Sequence, residues 1–167
     1  RKAIGIPEDL HVAALYSGTD ALTSALVRKV TQAQLEDSNV KAILRKMAEC
    51  AALGVEALDD KRTQQWLACI ERFHELEIEL TRASGAPIVS DAVQACVDLA
   101  NEVGCVAKAS GAGGGDVIVA FSDNDTDLKM LRTSVEGHPT ISFIPLGIDK
   151  YGISSCSRPE STRSADH

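Results

Sequence analysis

The amino-acid sequence predicts an α+β domain with an antiparallel sheet of about four strands packed against helices. Three observations carry this. A short strand-like run lies near the start, apolar stripes at helical spacing fill the middle, and three short aliphatic runs bounded by glycine or proline occupy the last third.

Taken in order, residues 11–17 (His-Val-Ala-Ala-Leu-Tyr-Ser) read as the first strand. Asp20 is placed to cap a helix over about 21–34, because its carboxylate can accept from amides of the first turn. Ser38 is expected to cap a second helix reaching about Leu58, with Val40, Ile43, Leu44, Met47, Cys50, Ala51 and Val55 on one stripe. A third helix covers about 60–83, with Trp66, Leu67, Ile70, Phe73, Leu76, Ile78 and Leu80 as its apolar residues. Ser84-Gly85-Ala86-Pro87 interrupts the pattern, Ser90 or Asp91 restarts it to about Glu102, and Gly104 ends it in the left-handed conformation a C-cap favours. Strands follow at about 105–109, 116–121 and 141–148, with a helix at 123–137 between the last two. Pro145 cannot donate to a ladder, so the final strand is expected at an edge or with a bulge. The polar, aperiodic residues 156–167 are expected to be a disordered tail, leaving 1–155 as one domain.

Composition narrows the function classes. At 167 residues the chain can bury one independent core, and its 44% hydrophobic and 25% charged content is that of an ordinary soluble protein. No apolar run approaches the ~20 residues of a membrane helix, and no basic segment with an apolar core marks a secretory signal, so a cytoplasmic protein is expected. The net charge of −7 argues against a nucleic-acid surface, which needs clustered cations. The five cysteines, Cys50, Cys69, Cys96, Cys105 and Cys156, have no C-x-x-C spacing and read as reduced thiols; the first three fall in helices and read as small core residues, Cys50 and Cys96 among them. The four histidines form no ligand pattern either, and no metal site is assigned to protein side chains.

The densest chemical signal is Lys108-Ala109-Ser110-Gly111-Ala112-Gly113-Gly114-Gly115-Asp116, ahead of the aliphatic run Val117-Ile118-Val119-Ala120-Phe121. Four glycines in five positions let the backbone take positive φ and bring its amides close to an anion. The same run also reads as a flexible turn with no ligand.

In this string the chain resembles the third motif of the small-molecule kinases that phosphorylate galactose, homoserine, mevalonate and phosphomevalonate; the closing Asp116 is most similar to phosphomevalonate kinases. The likeness extends to Ala86-Pro87-Ile88-Val89-Ser90 and the helix after it, which lead into the glycine run in that family's order. More loosely, 15–27 (Leu-Tyr-Ser-Gly-Thr-Asp-Ala-Leu-Thr-Ser-Ala-Leu-Val) resembles the strand, turn and helix that line that family's phosphomevalonate pocket; family members usually carry Trp where Tyr16 stands.

The resemblance implies a ferredoxin-like C-terminal kinase domain. It further implies transfer of the γ-phosphoryl of ATP, with Mg2+, to 5-phosphomevalonate to give the diphosphate. Lys108, Ser110, Gly111, Ala112, Gly113, Gly114, Gly115 and Asp116 would bind phosphate, and Ser17, Thr23 and Ser24 would face the acceptor. Lys108 reads equally as a solvent-facing strand residue. Asp116 would orient magnesium or a loop amide, or simply fix the loop through its carboxylate. Ser17, Thr23 and Ser24 read, without the resemblance, as a turn and a helix cap. The phosphate loop of the family's ATP-binding domain, Pro-x-x-x-Gly-Leu-Gly-Ser-Ser-like, is not in this sequence. The chain is therefore expected to be the C-terminal half of a kinase whose N-terminal domain supplies the nucleotide site and the missing cations. Another kinase of the group, such as mevalonate kinase, or a non-catalytic anion-binding or regulatory domain of the same fold, are the alternatives.

Overall fold

The computed structural model describes residues 5–20 and 22–148; the expected tail at 156–167, and Cys156 with it, lie outside the described residues. Strand β1 (His11–Tyr16) is followed by helices α1 (Thr23–Glu36), α2 (Ser38–Asp59), α3 (Thr63–Ser84) and α4 (Asp91–Glu102). Strands β2 (Val106–Ala109) and β3 (Val117–Ser122), helix α5 (Asp125–Ser134) and strand β4 (Ser142–Pro145) come after them. The strands form one antiparallel sheet in the order β2-β3-β1-β4, the ferredoxin-like arrangement of a split βαβ pair. β4 pairs with β1 alone and is an edge strand, where Pro145 leaves no inner neighbour without a donor.

Strand alternation divides the packing. Ala13, Leu15, Ala107, Ala109, Ile118 and Ala120 point to one face of the sheet, where α4 brings Val93, Cys96, Val97 and Ala100 and α5 brings Leu128 and Leu131. On the opposite face Val106 and Phe121 meet α3, with Trp66 edge-on to Phe121 at a centroid distance of 4.6 Å. A third apolar cluster joins Leu26 of α1, Val40 and Ile43 of α2 and Leu80 of α3 to Ala86 and Ile88 of the connector before α4. That connector and the sheet's β2–β3 turn are thereby held side by side.

Several local expectations need correction. Asp20 does not cap α1: the N-cap position is Leu22, and the Asp20 carboxylate accepts from the Tyr16 hydroxyl at 3.2 Å, an interaction that holds the phenol above its ordinary pKa. Ser38 is the first residue of α2, whose cap is Asp37 accepting from the Asn39 amide at 2.7 Å. The stripe of α2 also turns with the helix, so that Ala51 and Val55 face outward while Gly54 and Ala57 are buried. The third helix starts at Thr63, the last strand is shorter than 141–148, and α5 is shorter than 123–137 at both ends. Ser90 does cap α4 through the Val93 amide, and Gly104 is left-handed at φ 90°.

The described thiols are free. Cys50 and Cys96 are buried and Cys69 is half-buried; burial pushes Cys96 up to about 11 and Cys105 up to about 12, with the Asp127 charge adding to the latter. No helix among the described residues is long and apolar enough to cross a membrane.

Candidate functional site

The glycine run is the turn between β2 and β3. Ser110 donates to the Val117 carbonyl at 2.9 Å and closes the ladder, after which Gly111, Gly113 and Gly114 take φ of 69°, 78° and 88° and Asp116 takes 60°. Two backbone contacts pin the turn from outside the hairpin. The Gly114 amide donates to the Ile88 carbonyl, and the Asp116 amide donates to the Thr19 carbonyl, each at 2.6 Å; the Asp116 carbonyl in turn accepts from Ser17 at 2.9 Å. The connector before α4 and the turn after β1 therefore grip the loop from two sides.

Close approach explains two of the glycines. A Cβ on Gly113 would stand 2.4 Å from the Ile88 carbonyl oxygen, and one on Gly115 would stand 2.7 Å from Thr19 Oγ1 and 2.8 Å from the Thr19 carbonyl oxygen. At Gly111 there is open space, and only the positive φ asks for glycine. With Gly114 and Asp116 committed, the amides of Gly111, Ala112, Gly113 and Gly115 have no acceptor among the described residues. Successive unpaired amides in left-handed backbone form a concavity suited to an anion.

The other sequence-nominated residues are distributed unevenly. Ser110, Gly111 and Asp116 are exposed at the loop mouth. The Asp116 carboxylate makes no hydrogen bond among the described residues, so its backbone, not its side chain, holds the loop. Ser17 is buried, with its hydroxyl 3.0 Å from Thr19 Oγ1, while Thr23 and Ser24 are exposed on the first turn of α1. Lys108 is not at the mouth. Its Nζ lies 3.2 Å from Glu77 Oε1 of α3 and 5.0 Å from the centre of the Phe73 ring.

Glu77 and His74, both buried, escaped the sequence reading. The signal was there: Glu77 occupies the apolar stripe of α3, four residues after Phe73 and three before Leu80. A cavity of about 250 Å³ lies under Gly111 and Ala112, between Leu26, Phe73, Glu77 and Ile88. A larger hollow of about 320 Å³ runs between β1, β4 and α5 past Lys129 and Arg132, and none of the loop lines it. Free amides rather than hollow size locate the candidate site.

The loop offers backbone donors that are unpaired among the described residues. It does not by itself make a magnesium site, since no group of three or more His, Cys, Asp or Glu that could hold a metal occurs among the described residues.

Solved structures share this fold. The Lin0012 protein from Listeria innocua superposes with a TM-score of 0.79 at 24% identity over 86% of this chain and 40% of its own. An L. major mevalonate kinase in complex with R-mevalonate gives 0.72 at 17% identity, over 86% of this chain and 45% of its own. A Streptococcus pneumoniae phosphomevalonate kinase in complex with phosphomevalonate and AMPPNP gives 0.65 at 21% identity, over 81% and 40%. The chain thus spans less than half the length of these structures. No curated protein matches it in sequence. The family model for the C-terminal domain of GHMP kinases matches residues 33–137, from the last turn of α1 through the glycine loop and past the end of α5, and the chain belongs to that family.

Proposed function

We propose that this chain is the phosphate- and acceptor-binding part of an ATP-dependent kinase whose acceptor is 5-phosphomevalonate. The observation that carries the reading is the set of amides at Gly111, Ala112, Gly113 and Gly115 with no acceptor among the described residues, the first two in the more accessible part of a loop fixed by the ties of Gly114 to Ile88 and of Asp116 to Thr19. In this reaction an oxygen of the acceptor phosphate attacks the γ-phosphorus of ATP, a P–O–P bond forms, and the bond to the ADP oxygen breaks. Such a transfer asks the protein for position and charge neutralisation. The loop amides supply fixed positive dipoles that suit an acidic chain of net charge −7, and Ser110 adds a hydroxyl at the mouth. Lys108, paired with Glu77, contributes through the loop's geometry. Asp116, exposed at the mouth, is the carboxylate that could meet the magnesium accompanying ATP, which would offset phosphate charge. The nucleotide base and remaining cations fall to an N-terminal domain.

A coupled ADP-release assay of the full-length protein against phosphomevalonate, mevalonate, homoserine and galactose tests this. Turnover on phosphomevalonate alone is expected; preference for mevalonate moves the protein within the group, and no turnover on any of the four favours a non-catalytic anion binder. The isolated chain is expected to release no ADP.

A second expectation concerns the acceptor side. Thr23 and Ser24 sit exposed at the start of α1, where no side chain caps the helix, so their hydroxyls are free for a ligand. Changing both to Ala in the full-length enzyme should raise KM for phosphomevalonate by about one to two orders of magnitude, the loss of one or two hydrogen bonds to a charged group. KM for ATP should stay put. Equal rises in both constants would remove this segment from the acceptor site.

A further inference from the structure

We infer that Glu77 is a positioning residue of the glycine loop, acting through Lys108. This rests on the reading of the loop as a phosphate cradle. A buried carboxylate on an otherwise apolar helix stripe needs a reason, because an ion pair removed from water adds little stability over apolar side chains of the same size. The arrangement is also incompletely satisfied: among the described residues, Glu77 Oε2 and both ring nitrogens of His74 have no hydrogen-bond partner, although His74 Nδ1 is only 3.5 Å from Glu77 Oε2.

What the pair does have is location. Lys108, held by Glu77, donates to the Ala109 carbonyl, at the last residue of β2 before Ser110 and the loop. One helical turn beyond Glu77, Thr81 donates its hydroxyl to the Glu77 carbonyl at 2.8 Å and accepts from the Val89 amide at 3.0 Å. Val89 follows Ile88, whose carbonyl holds Gly114. A single face of α3 therefore reaches the β2 end of the loop, through the Glu77 carboxylate and Lys108, and the connector, through Thr81. The cavity of about 250 Å³ beneath Gly111 and Ala112 makes those ties more important. Ala112 packs against the edge of that cavity, and the rest of the loop is fixed by its backbone ties.

The test compares wild type with Glu77→Gln and with Glu77→Leu/Lys108→Met, in which an apolar pair of similar volume replaces the charges. In this chain, the double variant should keep its melting temperature while the Gly114 and Asp116 amides exchange with solvent roughly tenfold faster, and those of β1 do not. Glu77→Gln, which keeps volume and an acceptor for Lys108, should show a smaller rise in the same two amides. In the full-length enzyme the double variant should raise KM for phosphomevalonate several-fold, and Glu77→Gln should recover part of it. Unchanged loop exchange in a double variant of native stability overturns the inference; if that variant does not fold, unchanged exchange in folded Glu77→Gln does so. Faster exchange with unaltered KM upholds the positioning role and counts against the phosphate reading.

Discussion

Gly114→Val in the full-length protein is expected to lower turnover by at least about two orders of magnitude with a far-UV circular dichroism spectrum near wild type, the scale seen when one donor of a preorganised oxyanion site is lost. Gly114 is left-handed at φ 88°, a region a β-branched residue avoids, so valine would rotate the peptide. The Gly114 amide would then leave the Ile88 carbonyl, and the neighbouring amides would lose the tie that fixes their positions. If the loop is a ligand-free turn, the same substitution should cost some stability and leave kcat and KM intact at saturating substrate.

Gly113→Ala separates the structural part of the loop from the chemical part. Its new methyl group would stand 2.4 Å from the Ile88 carbonyl oxygen and 2.7 Å from Ile88 Cγ2, in a residue already at φ 78°. Left-handed strain and steric overlap together should cost roughly 2–5 kcal/mol, lowering the melting temperature by something like 5–15 °C for a domain of this size. Gly111→Ala is the control, because a Cβ there meets nothing within 4 Å and only the φ of 69° is unfavourable, at about 1 kcal/mol. Thermal melts showing equal losses for the two variants would mean that the Gly113–Ile88 approach is not a rigid contact.

The α+β class, the four antiparallel strands, the five helices and the place of the glycine loop between β2 and β3 could be read from residue order alone. These follow from signals confined to a few neighbouring residues: apolar period, glycine and proline punctuation, and the Ser90 cap. Pro145 even announced an edge strand, since a missing amide constrains any sheet. Where two local partners competed, sequence order chose wrongly. Asp20 bonds Tyr16 instead of capping α1, and Asp37 caps α2 one residue before Ser38, because the direction of the entering chain decides which carboxylate faces the first amides.

The site depended on tertiary structure for its details. The sequence nominated a phosphate loop with Lys108 and Asp116 as charged contributors; packing turned Lys108 toward α3 and Glu77, 31 positions away, and left Asp116 holding the loop by its backbone. No spacing rule connects β2 to α3 or the loop to Ile88 and Thr19. Those contacts arise because strand alternation points Lys108 away from the α4–α5 face, and because the apolar cluster of Leu26, Leu80, Ala86 and Ile88 sets the connector beside the hairpin. The sequence by itself determined which backbone could most readily bend left-handed, since the absence of Cβ removes the main obstacle to it; the tertiary structure decided which of the loop amides are spent on the protein and which have no acceptor among the described residues.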